Sequence, residues 1–229
     1  MKITVVGMIY KSIDYLNFML RGIYKYCKSF DGYEVNYLIV ANDPTEKVIT
    51  SLNKLGVKWV LYKDKNPKDY YLNRVYRAWN YGGNIVNSDI VVFINSDMGF
   101  SSGWLKNLIR ELNSDTIPCS RLVESGKMPS GLYGISRNFG KHPSQYNEIG
   151  FLNFVKSIAQ STVMRGGLYM PCAFYTKDFA DSGGYPEGNV GRMSGDKYFF
   201  TQNSVMGIKK HITVFDSLVY HFQEGEMDD

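Results

Sequence analysis

Asp89-Ile90-Val91-Val92-Phe93-Ile94-Asn95-Ser96-Asp97 is the stretch that decides the fold. From 90 to 94 it is β-branched and aromatic with no polar interruption, so it lacks the alternation of a half-exposed strand and reads as one buried on both faces. Such strands belong to mainly parallel sheets covered by helices, and the chain before this run repeats the theme. Short apolar runs at 3–8, 35–41 and 57–62 read as strands. Helical spacing predicts a helix over 14–27, a shorter one from Thr45 to about 53 that Gly56 stops, and a third over 72–81 broken by Gly82-Gly83. Strand and helix alternate, which predicts an α/β fold with right-handed crossovers and helices on both faces of the sheet.

Beyond Asp97 the regularity fades. Helices are expected over 104–112, 152–159 and 196–205, and extended segments over 116–122, 168–175 and 212–220. Residues 123–150, rich in Gly, Ser, Asn and Pro, read as loop. With no repeat and no low-complexity linker, residues 1–229 are expected to form a single domain, with a nucleotide-binding half over about 1–100 and a more irregular half over about 101–229.

Composition closes off several classes. The 229 residues are 44% hydrophobic and 21% charged, with a net charge of +4, which disfavours disorder and supplies a core without disulfide staples. No run approaches the roughly 20 apolar residues of a membrane span, and Lys11 and Asp14 interrupt any leader-like core. Three scattered cysteines, Cys27, Cys119 and Cys172, form neither a zinc motif nor a disulfide framework, so a cytoplasmic setting is expected. The mild, dispersed positive charge argues against a nucleic-acid partner. The oddity is 15% aromatic content, with 18 Tyr, 13 Phe and 3 Trp.

In a parallel sheet, ligands bind at the carboxyl ends of the strands. Tyr10, Asn42-Asp43 and Asn95-Ser96-Asp97 fall at three such ends. A carboxylate there can present oxygen to a divalent cation that bridges phosphates, and position alone leaves Asp97 open between that role and a turn cap. Residues 7–12 lack the second glycine of a phosphate loop, and no G-x-G-x-x-G follows a strand.

Taken together, separated segments in order along the sequence resemble an inverting glycosyltransferase of the GT-A fold, family 2, across nearly the whole chain. Gly7-Met8-Ile9-Tyr10-Lys11 stands where that family usually has Pro-Thr-Tyr-Asn, and Val40-Ala41-Asn42-Asp43 where it places a base-contacting aspartate. Residues 73–82 carry its Asn-x-Gly at Asn80-Tyr81-Gly82, and Asn95-Ser96-Asp97 is similar to its D-x-D motif. Gly183-Gly184-Tyr185-Pro186-Glu187 and then Gly195-Asp196 resemble its Gly-Gly-Phe-Asp-Glu and Glu-Asp, and Tyr220-His221-Phe222 its late histidine.

The resemblance implies a Rossmann-like nucleotide-diphospho-sugar transferase. Asp196 would be the general base, and Tyr10, Asp43, Arg77, Asn80, Asn95 and Asp97 would contact a nucleotide-diphosphate sugar. A divalent metal, Mn2+ or Mg2+, would sit on Asp97 with His221, with Tyr185 and Glu187 on the acceptor side. The acceptor would be a glycan or glycolipid, and peripheral membrane contact is compatible with a chain lacking a span. Three departures stand out: Asn95 replaces the first aspartate of D-x-D and weakens the metal expectation, Trp79 stands where an arginine often does and leaves Arg74 or Arg77, one turn back, to serve instead, and Gly195 replaces a glutamate. From the residues alone, Asp196 also reads as a helix-start residue, His221 as a sheet histidine and Glu187 as structural. The acidic tail of Glu224, Glu226, Asp228 and Asp229 reads as solvated. Residues 120–165, with Arg121, Glu124, Tyr133, Arg137, His142 and Tyr146, are expected to select the acceptor; Tyr133, Tyr146, Tyr169 and Tyr185 would stack on sugar rings. Rival readings are a non-catalytic sugar-nucleotide or carbohydrate-binding module and a nucleotidyltransferase.

Overall fold

A computed structural model describes residues 1–223 and 225–228. In chain order the elements are β1 (Lys2–Ile9), α1 (Ile13–Tyr26), β2 (Glu34–Asn42), α2 (Glu46–Leu55), β3 (Trp59–Tyr62), α3 (Tyr71–Ile85), β4 (Ile90–Asn95), β5 (Met98–Phe100), α4 (Trp104–Arg110), β6 (Thr116–Glu124), β7 (Ile135–Ser136), α5 (Glu148–Ile158), β8 (Val163–Arg165), β9 (Cys172–Tyr175), α6 (Thr176–Asp181), β10 (Asn189–Val190), β11 (Met193–Ser194), α7 (Gly195–Thr201) and β12 (Lys210–His221). The main sheet runs β3-β2-β1-β4-β9-β6-β12-β5, with β7 on β6 and β8 on β12.

Burial dictates the first half. Ile90 to Ile94 are all buried, and β4 lies parallel to β1 with Met8 opposite Asn95. On its other side β1 pairs with β2, Met8 opposite Val40, so β1, β2 and β4 end together and their terminal polar residues converge on one edge. α1 starts where Ser12 accepts from the Tyr15 N–H and buries Leu16, Met19 and Ile23. α2 starts on Thr45 and stops at Gly56, whose φ of 62° is a left-handed cap.

Two expectations change. Gly82-Gly83 does not break the third helix, because α3 continues to Ile85. A Cβ at Gly82 would lie 2.7 Å from Val40 Cγ2, and one at Gly83 2.3 Å from Phe179 Cε1; these glycines bring the helix close to its neighbours rather than end it. Residues 123–150 are also more ordered than a loop. β6 runs to Glu124, β7 pairs with it, and α5 begins at Glu148 on an Asn147 cap.

In the second half, β9 is antiparallel to both β4 and β6 and joins the two parallel sets. The helix expected over 196–205 is the shorter α7. Around β9 the aromatic surplus finds its place: Phe93, Phe174, Phe179, Tyr185, Phe199 and Phe200 are buried, with the Tyr185 and Phe199 rings stacked at 4.2 Å. Tyr146 stacks on Tyr220 and Tyr169 on His211. Ring packing thus occupies most of the aromatics that the sequence assigns to sugar stacking. Cys27, Cys119 and Cys172 are free and buried. Among the described residues no helix is long and apolar enough to cross a membrane.

Candidate active site

The carboxyl edge of β1, β2 and β4 carries the first cluster. Asp43 adopts a positive φ of 46° just past β2, where its Oδ1 accepts from the Asp64 N–H at 3.1 Å and its Oδ2 from Arg74 Nη2 at 2.8 Å. The Arg74 guanidinium lies 4.9 Å from the centre of the Tyr10 ring and donates to its hydroxyl at 3.4 Å. Burial pushes the Tyr10 phenol up, but Lys11 and Arg74 together bring it below its ordinary value. Four polar atoms on or near this edge, Asn42 Oδ1, Asn73 Oδ1, Arg74 Nε and Asn95 Oδ1, are buried without a hydrogen-bond partner. Buried polar atoms are rarely left so, and either water or a polar ligand can complete the bonding here.

Arg77, expected at the donor, is committed elsewhere. Its side chain is 7% exposed and forms a two-pronged pair with Asp64, Nε to Oδ2 at 2.9 Å and Nη2 to Oδ1 at 2.8 Å. Nη1 serves Asp69 at 2.9 Å and Glu187 at 2.8 Å. Arg74, one turn earlier, faces the crevice in its place. Asn80 is also committed: its amide donates to Tyr185 O and accepts from Tyr185 N–H, both at 2.8 Å. The Tyr185 ring, only 2% exposed, stacks on Tyr76 at 5.6 Å and cannot meet an acceptor. Glu187 bridges Arg77 and Lys65. The 183–187 segment is therefore bound to α3 and to the loop before it, and joins the two halves of the chain.

The second cluster surrounds Asp97, which precedes β5. The end of β12 lies between β5 and β6, with His221 opposite Met98 on one side and Glu124 on the other. His221 Nε2 is 3.2 Å from Asp97 Oδ2, and Nδ1 is 3.1 Å from Glu124 Oε1. Burial alone would lower the imidazolium pKa, but Asp97 and Glu124 raise it to about 10. Burial likewise raises both carboxylates, and His221 holds each below its ordinary value, helped at Glu124 by Ser130. Glu124 is thus a partner of His221 and not an acceptor-loop residue.

At Glu226 the acidic tail is not solvated. Glu226 Oε2 accepts from the N–H groups of Lys11 at 2.6 Å and Ser12 at 2.9 Å, both its oxygens lie 3.2 Å from the Tyr10 nitrogen, and Oε1 accepts from Ser96 Oγ at 2.8 Å. A Cβ at the adjacent Gly225 would stand 2.9 Å from Asp97 Cβ. Residues 225–226 therefore lie across the ends of β1 and β4. Glu224 and Asp229 fall outside the described residues, as does the side chain of Asp228.

Asp196 opens α7 and is half-exposed. Its Oδ1 accepts from the Lys197 N–H at 2.8 Å, and its own N–H donates to the Tyr76 hydroxyl at 3.3 Å. Through Arg74 and Tyr76, α3 touches both the Tyr10–Asp43 cluster and the Asp196 turn.

Among the described residues no group of three or more His, Cys, Asp and Glu side chains is arranged to hold a metal ion. Asp97 and His221 offer one carboxylate oxygen and one imidazole nitrogen. Once the ring gives up its Nε2 proton, that pair would fit a divalent ion such as Mn2+, with ligand phosphates and water completing the coordination, whereas Mg2+ would draw on the Asp97 oxygen alone.

No family model matches the chain, and no curated protein matches it in sequence. Solved structures match it in shape. S. aureus TarS 1–349 superposes with a TM-score of 0.60 at 16% identity, covering 96% of this chain and 60% of that one. The mannosyltransferase PcManGT from Pyrobaculum calidifontis, in complex with GDP-Man and Mn2+, gives 0.58 at 18% identity, covering 96% and 56%. GalNAc-T7 with UDP, GalNAc and Mn2+ gives 0.58 at 12% identity, covering 96% and 43%. The chain thus spans 60% or less of the length of these chains. At such low identity the likeness is one of fold, and that fold is the GT-A fold of glycosyltransferases.

Proposed function

We propose that the protein transfers a sugar from a nucleotide-diphosphate sugar to a hydroxyl of a glycan or glycolipid acceptor, with inversion, in the manner of family 2. The observation that carries this reading is the carboxyl edge of β1, β2 and β4, where Tyr10, Asp43 and Arg74, the unpartnered Asn42 and Asn95 oxygens and the Asp97–His221 pair converge. The ligands named for the structural neighbours, UDP-GlcNAc, GDP-Man and Mn2+, support the same donor class.

In this reading Asp43, held by Arg74 and by the Asp64 N–H, presents a fixed acceptor to the nucleotide base, and Asn95 bonds the ribose. Asp97 and, once its Nε2 proton is released, His221 would hold a divalent ion, which would supply neutralisation of the charge that develops on the departing diphosphate. Asp196 Oδ1 is engaged by the Lys197 N–H, so Oδ2 takes the proton of the acceptor hydroxyl. The freed oxygen forms its bond to the anomeric carbon as the bond to the diphosphate breaks on the opposite face. The nucleoside diphosphate leaves and the proton stays on Asp196. Orienting both substrates supplies much of the acceleration. Arg77, Asn80, Tyr185 and Glu187 act by joining the halves that carry these groups. The cytoplasm is the compartment we assign, in keeping with three unpaired, buried cysteines.

The test uses water as the acceptor. An α-linked donor such as UDP-GlcNAc or GDP-Man, incubated with Mn2+ and followed by proton NMR, should first release the β-anomer of the sugar. First release of the α-anomer would overturn inversion. Nucleotide binding without any release or transfer would favour the non-catalytic module.

A further inference from the structure

We infer that Glu124 is the positioning residue of the Asp97–His221 pair, holding the His221 ring with Nδ1 as donor so that Nε2 is presented on the Asp97 side. The inference rests on the reading of Asp97 and His221 as metal ligands and adds a residue that neither the sequence motifs nor that reading assigns.

Sheet register comes first. β6 and β12 are parallel, and Glu124 lies opposite His221 across them, so the two side chains project from the same face of the sheet. Glu124 Oε1 faces His221 Nδ1 at 3.1 Å, while Nε2 faces Asp97 Oδ2 at 3.2 Å. With both nitrogens engaged from opposite sides, the ring can neither flip nor rotate without breaking a bond.

Glu124 is held in turn. It is 5% exposed, and Ser130 Oγ donates to its Oε2. Position 134 must be small to allow this contact, since a Cβ there would stand 2.3 Å from Ser130 Oγ and 3.2 Å from Glu124 Oε2. The chain leaving β6 is also tied to the chain leaving β12. Ser125 N–H donates to His221 O at 3.0 Å and Ser125 Oγ to Phe222 O at 2.5 Å. Gln223 Oε1 accepts from the N–H groups of Gly126 and Met128, and its Nε2 donates to Met128 O at 3.1 Å. Neither strand end can slip past the other.

The chemistry explains the choice of a carboxylate. A histidine ligand whose remote nitrogen donates to a carboxylate is fixed in tautomer and orientation and is a more basic ligand, and loss of such a partner typically weakens metal affinity about 10- to 100-fold. A glutamate that merely filled space beside His221 would not have that effect.

The experiment measures the Mn2+ dissociation constant by electron paramagnetic resonance, with Mn2+ alone and with Mn2+ plus UDP or GDP. The proteins are wild type, Glu124→Ala, Glu124→Gln and His221→Ala, and metal-free UDP or GDP binding is measured in parallel. We expect Glu124→Ala to weaken Mn2+ binding about 10- to 100-fold and the isosteric Glu124→Gln to weaken it less, but by more than about twofold, with metal-free nucleotide affinity unchanged. Glu124→Gln carries the test should the alanine variant not fold. A Glu124→Gln constant within about twofold of wild type, in the face of a clear loss in His221→Ala, overturns the role of Glu124. Equal Mn2+ binding by wild type and His221→Ala, or none by wild type, instead overturns the metal reading beneath it.

Discussion

Replacing Arg77 with alanine is the sharpest test of how the two halves are joined. The substitution removes the partner of Asp64, whose side chain has no solvent exposure, and leaves that carboxylate with the Asn66 N–H at 2.7 Å as its remaining hydrogen bond. Stranding one member of a buried ion pair costs about 3–5 kcal/mol, whereas the more exposed arms to Asp69 and Glu187 add little. Against a total stability of about 5–15 kcal/mol, the loss is large. For a chain of this length it corresponds to a fall in Tm of about 6–20 °C. Urea denaturation of wild type, Arg77→Ala and Arg77→Lys measures it, and lysine, with its charge but no fork, should fall between. The pH dependence has a definite sign. Asp64, Asp69 and Glu187 are all held below their ordinary values, so their contribution is present above about pH 4 and is lost as the pH falls through the depressed values. The gap between wild type and Arg77→Ala should narrow in acid. A loss below about 1 kcal/mol at neutral pH, the size expected of a surface pair, would refute the reasoning.

Further outcomes follow from the same geometry. Asp196→Asn should reduce transfer by about 10²- to 10⁴-fold with nucleotide affinity unchanged in calorimetry; unaltered turnover would remove Asp196 from the base role. The His221 imidazolium, raised to about 10 from 6.5, contributes stability that is fully present below pH 6.5 and is lost as the pH rises through 10. The unfolding free energy of wild type should therefore drop over that window, and that of His221→Ala should stay flatter. Glu226→Ala frees the N–H groups of Tyr10, Lys11 and Ser12 and should cost about 1–3 kcal/mol. Because it also removes a carboxylate from the crevice mouth, UDP or GDP should bind more tightly; weaker binding would show that Glu226 assists the ligand.

The carboxyl edge of β1, β2 and β4 is legible because burial writes itself into local sequence. The unbroken 90–94 run announces a two-sided strand, and the polar residues after it must fall at its carboxyl end. What escaped depends on partners distant in the chain. Nothing local distinguishes a Gly-Gly that ends a helix from one pressed against Phe179 and Val40. Tyr185 sits in a segment that reads as acceptor-side, yet its ring is absorbed by Tyr76 and Phe199. Arg74 and Arg77, one turn apart, look interchangeable until Asp64 claims the second and Asp43 the first. Glu124 and Glu226 are brought to the site by contacts spanning 97 and as many as 216 residues, and no motif records either.

Nucleotide binding at Asp97 is the central claim. Calorimetric titration of UDP and GDP into wild type and Asp97→Asn, each with and without Mn2+, decides it. Wild type should bind one of the two, and bind it more tightly with Mn2+, and Asp97→Asn should lose that increment. Retention of the full Mn2+ increment in Asp97→Asn, or no binding of either nucleotide to wild type, would contradict it.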